Sequence, residues 1–442
     1  MKKTVLAIFS IVICSLFSCE TTIEVDEKRV NNPVNLHASV QQLTDVIVHD
    51  IFSPPAASRI YAYPSIAAYE ALLPAYEEYL SFAGQLNELE EVPQPEEGKE
   101  YCFPLAAVHA FLTCGKALVF SEDMMESFEE ETYSKFKDMG LSTAVYENSM
   151  NYGKAVADHI LAWSAEDNYK ETRTFPRYTF DDEPDSWKPT PPAYMDGIEP
   201  HWKTIRTFVL DSANQFVPPP PTPYDMSPKS QFFKELMEVY EAVKNLNEER
   251  AEIASFWDCN PYVSHQMGHV MFATKKITPG GHWIGITKIA SNKAGADLME
   301  TAEAYAITSI ALADGFISCW DEKWRSVLIR PETVINEHVD EDWAPLLQTP
   351  PFPEYTSGHS VISSAASVAL TGLFGDNFSF IDSTEVKYGL PVRSFDSFYD
   401  ASEEAAISRL YGGIHYMPAI ENGVLQGKDV GNWIIENIQT KK

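Results

Sequence analysis

One stretch, residues 172–228, limits what this chain can fold into. It contains "FDDEPDSWKPTPPAYMDGIEPHW" and "NQFVPPPPTPYDMSPKSQ". Proline fixes φ and removes a backbone donor, so neither a helix nor a central strand runs through such a segment. Its many aromatic residues argue against a disordered linker, because they gain by burial. It reads as an ordered connector wrapping the surface. On both sides of it, apolar residues recur at three- and four-residue spacing, the period of an amphipathic helix. "VNLHASVQQLTDVIVHDIF" shows this before the connector and "DLMETAEAYAITSIALADGFISCWDEKW" after it. Ser53 ahead of Pro54 marks a helix start. Alternating strand patterns are scarce, and no repeat of fixed period is present. The expected fold is all-α, with an N-terminal helical half over 35–171, the connector over 172–228 and a C-terminal helical domain over 229–442.

The chain begins with "MKK" and the apolar run "TVLAIFSIVICSLFS", followed by Cys19. This is the pattern of a signal peptide over 1–18. "LFSC" resembles a bacterial lipoprotein processing box, which makes Cys19 the expected lipidation site and 19–34 a polar tether. The expectation is an exported protein, in the periplasm or anchored as an outer-membrane lipoprotein of a Gram-negative cell. Its membrane contact would be the lipid alone, since no later apolar run is long enough to span a bilayer. With 33 Lys and Arg against 64 Asp and Glu, the net charge is −31. That argues against nucleic acid or an anionic membrane surface as partner, and requires any anion site to be a local cluster of cations. Cys102, Cys114, Cys259 and Cys319 show no metal-type spacing. Cys102 and Cys114 are near enough in sequence to pair, and buried free thiols are the equal alternative. Oligomeric state is not legible.

Three segments bring cations and imidazoles. In "KWRSVLIRP", Lys323 and Arg330 are seven apart and would share one face of a helix. In "EYTSGHSVISSA", Ser357 and His359 flank Gly358, whose N–H can approach an anion where a helix begins. In "SRLYGGIHYMP", Gly412 and Gly413 break a helix so that Arg409 and His415 can converge. Separately, each has a structural explanation: a solvated basic face, an N-cap, a glycine turn. Together they make a set of donors suited to a tetrahedral oxyanion and to charge developing on it.

The ordered set K-x6-RP, SGH and SR-x5-H resembles the signature of the vanadium-dependent haloperoxidase and type 2 phosphatidic acid phosphatase superfamily. "SPPAASRIYAYPSIAAYEAL", "WKPTPP" and "GGHW" extend the likeness to its exported, soluble branch. The resemblance implies two four-helix-bundle-like halves. It implies that Lys323, Arg330, Ser357, Gly358 and Arg409 hold the oxyanion. His415 would be the axial vanadate ligand, or the nucleophile of a phosphatase, and His359 the acid–base group. Trp320 and Phe352 match aromatic positions flanking the site and are candidates for a pocket wall. The first reading is a vanadate-dependent enzyme oxidising halide with hydrogen peroxide. The alternatives are a soluble acid phosphatase without cofactor, acting on a phosphomonoester, and a non-catalytic surface lipoprotein.

Two positions depart from the pattern. Thr356 stands where proline is frequent, and Ala419 where many members carry an aspartate that orients the second histidine. Glu421 or Asp314 could replace that aspartate. Asp314, alone on an apolar helix, is also a candidate partner for Arg409. "SHQMGH" would place His265 and His269 on one helical face, with His282 further on. No carboxylate near in sequence completes a metal set, so these read as structural histidines, and "GGHWIGI" as part of the active-site entrance.

Overall fold

The computed structural model describes residues 25–267 and 270–442. Cys19 and the leader lie outside the described residues, as does His269. The chain forms helices α1 (Glu27–Val30), α2 (Val34–Asp50), α3 (Pro54–Leu72), α4 (Phe103–Leu118), α5 (Glu122–Lys137), α6 (Thr143–Ser164) and α7 (Tyr169–Thr172) before the connector. After it come α8 (Gln231–Lys244), α9 (Glu248–Phe256), α10 (Pro279–Ala294), α11 (Leu298–Ser326), α12 (Pro331–His338), α13 (Gly358–Phe374), α14 (Phe398–Tyr411) and α15 (Met417–Asn437). Two small antiparallel hairpins interrupt them, β1 (Val263–Met267) with β2 (Val270–Thr274), and β3 (Phe380–Asp382) with β4 (Arg393–Phe395). Among the described residues no helix is long and apolar enough to cross a membrane.

Local chemistry explains the boundaries that matter. Pro54 and Pro55 open α3, where their missing N–H groups would be unpaired anyway. Asp297 and Glu300 form a reciprocal capping box at the start of α11. That helix stops where Val327 turns left-handed, at φ 48°. Gly413, at φ 78°, ends the turn after α14.

The helices before the connector pack around α3, α4 and α6, and those after it around α11, α13 and α15; α3 lies directly against α11, so one apolar core runs through both groups. Gly423, Gly427 and Gly431 recur four apart on α15. A Cβ on Gly427 would stand 2.1 Å from the Val361 carbonyl oxygen, so the backbones of α13 and α15 touch there.

The connector is tied to the C-terminal half of the chain. Trp187 and Trp202 are buried. The Trp187 N–H donates to the Val327 carbonyl (2.8 Å), and the Ile329 N–H to Asp185 (2.8 Å). Asp314 supplies the strongest tie. Its buried carboxylate accepts the N–H groups of Phe208 (2.7 Å), Val209 (2.8 Å) and Leu210 (3.1 Å). This corrects the expectation that Asp314 pairs with Arg409 or orients His415: it works as an anchor for backbone donors that would otherwise be orphaned. Burial raises its pKa to about 6.

Of the two equal readings of Cys102 and Cys114 the structure bears out buried free thiols, and one further expectation, for His265, is corrected. Cys102 and Cys114 are both buried and free, with no bridge between them. His265 lies in strand β1, not on a helix, and its Nε2 sits 3.0 Å from Thr274 Oγ1.

Candidate functional site

Lys323 and Arg330 do not share a helix. α11 ends between them, and Arg330 occupies the cap position of α12. They converge because the chain reverses at Val327. Both cations come within 5.1 Å of the Phe352 ring. Lys323 Nζ donates to the carbonyls of Pro353 and Glu354, each at 2.9 Å. Burial pushes its pKa down to about 7, with Arg330 adding to the effect. Burial also lowers that of Arg330, to about 10.

Ser357 caps α13, its Oγ accepting the Ser360 N–H at 3.3 Å. The first-turn N–H groups, Gly358 among them, have no acceptor within the helix. A Cβ on Gly358 would make only an ordinary 3.7 Å contact with Trp320, so protein packing does not demand glycine there. His359 follows, half-buried. Arg409 Nη1 lies 2.8 Å from its Nε2 and also donates to the Trp257 carbonyl at 3.0 Å. Burial and then the Arg409 charge hold the His359 pKa well below 6.5, so the ring is neutral at neutral pH.

His415 is turned inward by the glycine break. Arg330 Nη1 lies 3.1 Å from its Nε2, and Glu354 Oε1 lies 2.8 Å from its Nδ1. A guanidinium can only donate, so Nε2 is the acceptor nitrogen and Nδ1 carries the proton. Glu354 Oε1 then accepts both Nδ1–H and the Tyr416 N–H, the latter at 2.9 Å. Burial raises the Glu354 pKa to about 7 while Arg330 and Lys323 oppose it. His415 itself is held well below 6.5 by burial and then by Arg330.

Glu354 is therefore the group that orients His415, in the place left by Ala419. The residues named for this from sequence do something else: Glu421 is exposed and Asp314 anchors the connector. The signal was there, an acidic residue inside the apolar and proline-rich "PPFPEYTSGH". Thr356, the other departure, donates to Gln426 Oε1 at 2.7 Å, and Gln426 in turn to Ser318 at 3.0 Å. A buried polar chain thus links the SGH turn to α15 and α11.

Gly358, His359, Arg409, His415, Trp320 and Phe352 line one cavity of about 230 Å³. Lys323, Arg330 and Ser357 stand buried just behind its wall. The Trp320 and Phe352 rings pack at 4.9 Å between centroids. The rim adds Pro54, Ile198 and Tyr262 from three distant parts of the chain. "GGHWIGI" is not at this entrance: only Pro279 just ahead of it lines the cavity, and His282 is fully buried.

The cations bear on what the cavity holds. Arg330 Nη2 and Arg409 Nε and Nη2 are buried without a hydrogen-bond partner. Unpaired buried guanidinium donors are costly, and an oxyanion is the acceptor type that satisfies them. Vanadate fits this donor set: fixed N–H donors for its oxygens and one unprotonated imidazole nitrogen, His415 Nε2, whose lone pair is exchanged from Arg330 Nη1 to the ligand.

A helical protein with such a cradle belongs to the class that grips a tetrahedral oxyanion against a ring nitrogen. The comparisons with known proteins agree. A family model for the second helical-bundle domain of VCPO matches residues 303–441. The crystal structure of the first bacterial vanadium-dependent iodoperoxidase is 55% identical, covering 92% of this chain and 97% of its own, with a TM-score of 0.88. Holo and apo crystal structures of a bacterial vanadium-dependent chloroperoxidase are 18% and 17% identical, with TM-scores of 0.67 and 0.66. They cover 88% and 87% of this chain, and 93% and 94% of their own, and speak to the fold alone. No curated protein sequence matches significantly. The chain belongs to the vanadium-dependent haloperoxidase family.

Proposed function

We propose that this protein is a vanadate-dependent haloperoxidase that oxidises iodide with hydrogen peroxide. The observation that carries the reading is the trio of unpaired guanidinium N–H groups beside the His415 Nε2 lone pair. The choice of iodide rests on the 55% identity to an iodoperoxidase. Lys323, Arg330, Ser357, Gly358 and Arg409 hold the oxyanion. His415 Nε2 would ligate the vanadium, kept in the right tautomer by Glu354. When bound, vanadate supplies a Lewis-acidic centre that activates peroxide toward halide.

His359 serves as the proton-transfer group. Its ring is neutral at neutral pH, so Nε2 would accept a proton from peroxide at the site in exchange for its present 2.8 Å contact with Arg409 Nη1. Trp320 and Phe352 form an apolar wall that excludes water and suits a large, weakly hydrated halide. The soluble phosphatase reading draws on the same donors; the family match favours the peroxidase. For the N-terminus we propose export, with Cys19 lipidated, and for the architecture a helical domain over 229–442 that carries the site.

The test is peroxide-dependent iodide oxidation by the leaderless protein, with and without vanadate. Turnover that requires vanadate and is lost in His415→Ala is the expected result. Turnover retained in that variant removes His415 from the site, and no turnover by vanadate-bound protein overturns the activity.

A further inference from the structure

A second cluster borders the anion site, with Cys259 on the wall of the same cavity, and plays no part in the reaction above. Cys259 follows α9, His282 sits in the first turns of α10, and Glu385 follows strand β3. All three are buried. Cys259 Sγ is 3.3 Å from His282 Nδ1 and 3.9 Å from Glu385 Oε1, and His282 Nδ1 is 3.3 Å from Glu385 Oε1. A tetrahedral zinc ion, with Zn–S of about 2.3 Å and Zn–N and Zn–O of about 2.1 Å, separates its ligand atoms by about 3.4–3.6 Å. The three atoms already form a triangle of that size.

Two further observations point the same way. His282 Nε2 is 2.7 Å from Asp382 Oδ2, and Asp382 Oδ1 is fixed by the N–H and hydroxyl of Thr384. A carboxylate on the far ring nitrogen leaves the Nδ1 lone pair for a metal, as in metal-bound histidines generally. Glu385 Oε2 is buried with no partner, so this side chain has capacity that the protein does not use. Hydrogen bonds alone explain a thiol beside an imidazole; they do not explain why a half-satisfied carboxylate is buried against both.

We propose that Cys259, His282 and Glu385 bind a zinc-class divalent transition metal, with the fourth position left to water. Mixed thiolate, imidazole and carboxylate donors favour such an ion over calcium or magnesium. The site ties three segments distant in sequence. His282 stacks on Trp257 at 4.5 Å and 17° between planes, and the Trp257 carbonyl holds Arg409. The metal thereby fixes the turn that positions one cation of the anion cradle.

The test needs neither vanadate nor turnover. Metal-stripped protein, shown by circular dichroism to be folded, is titrated with cobalt(II). The expected result is a one-to-one complex with a thiolate-to-cobalt charge-transfer band, displaced by zinc, absent in Cys259→Ser and kept in Cys102→Ser. Asp382→Asn, which retains all three ligands, keeps the band and weakens zinc about 10–100-fold. No band in folded wild-type protein overturns the proposal, as does a band that persists in Cys259→Ser. If Cys259→Ser does not fold, the wild-type titration and Asp382→Asn decide.

Discussion

Glu354→Gln isolates what the buried carboxylate does for His415. The amide has nearly the same shape and can still accept the Tyr416 N–H, so folding should survive. Two effects then oppose each other. Removing a negative charge beside Arg330 and Lys323 leaves the cradle more positive, which by Coulomb attraction tightens any anion. Removing the charged acceptor from Nδ1–H lowers the electron-donating power of Nε2 and loosens the ring, which weakens a ligand bonded to that nitrogen. Losing such an outer partner costs about 10–100-fold in metal affinity, or about 1.4–2.7 kcal/mol. Vanadate feels both effects, whereas phosphate in simple equilibrium feels only the first. Equilibrium dialysis should therefore show the ratio of vanadate to phosphate affinity falling about 10–100-fold, while phosphate affinity itself holds or rises. Parallel changes in the two anions would refute the argument that Glu354 acts through the imidazole.

Other expectations follow from single residues. The Lys323 ammonium loses its proton near pH 7 in the free protein, and an anion raises that pKa, so binding takes up a proton above pH 7. Affinity for sulfate, whose charge is constant in this range, should fall as pH rises through 7, where Glu354 also ionises, and Lys323→Met should make the slope shallower without removing it. Asp314→Asn presents an amide to three backbone N–H donors and should lower stability by about 1–3 kcal/mol in urea titration, with a smaller loss locating the anchor elsewhere. Gly427→Ala drives a methyl into the Val361 carbonyl of the facing helix and should cost about 3 kcal/mol or more, beyond ordinary overpacking.

The sequence made the donors of the site legible because they occur in short local patterns. Lys323, Arg330, Ser357, Gly358, His359, Arg409 and His415 are each marked by neighbours, and the structure puts Gly358, His359, Arg409 and His415 on one cavity, with the other three buried nearby. What it did not show depends on distant contact. Glu354 gains its role from a chain reversal, and Asp382 and Glu385 meet His282 across about 100 residues, in line with the general rule that spatial neighbours carry no sequence signal of their own. Helical periodicity revealed the bundle, yet "VSHQM" and "VMFAT" form a hairpin whose pairing no helical pattern predicts. The glycines of α15 were visible at four-residue spacing, but only the facing helix explains them.

The anchoring of the connector by Asp314 bears on the order in which this protein can fold. Residues 208–210 are synthesised well before α11, yet their N–H groups find acceptors only in that helix. Until α11 emerges, Trp187 lacks the Trp324 ring and the 208–210 N–H groups lack their acceptor, although Phe208 already has Tyr63 and Trp163 beside it and Trp202 has Tyr169. A chain interrupted before residue 298 would thus leave the 208–210 loop unanchored and Trp187 short of its partner ring, and the full chain must pass through that stage on every synthesis. Factors that shield nascent apolar segments are expected to matter most in this interval, well before the anion site exists.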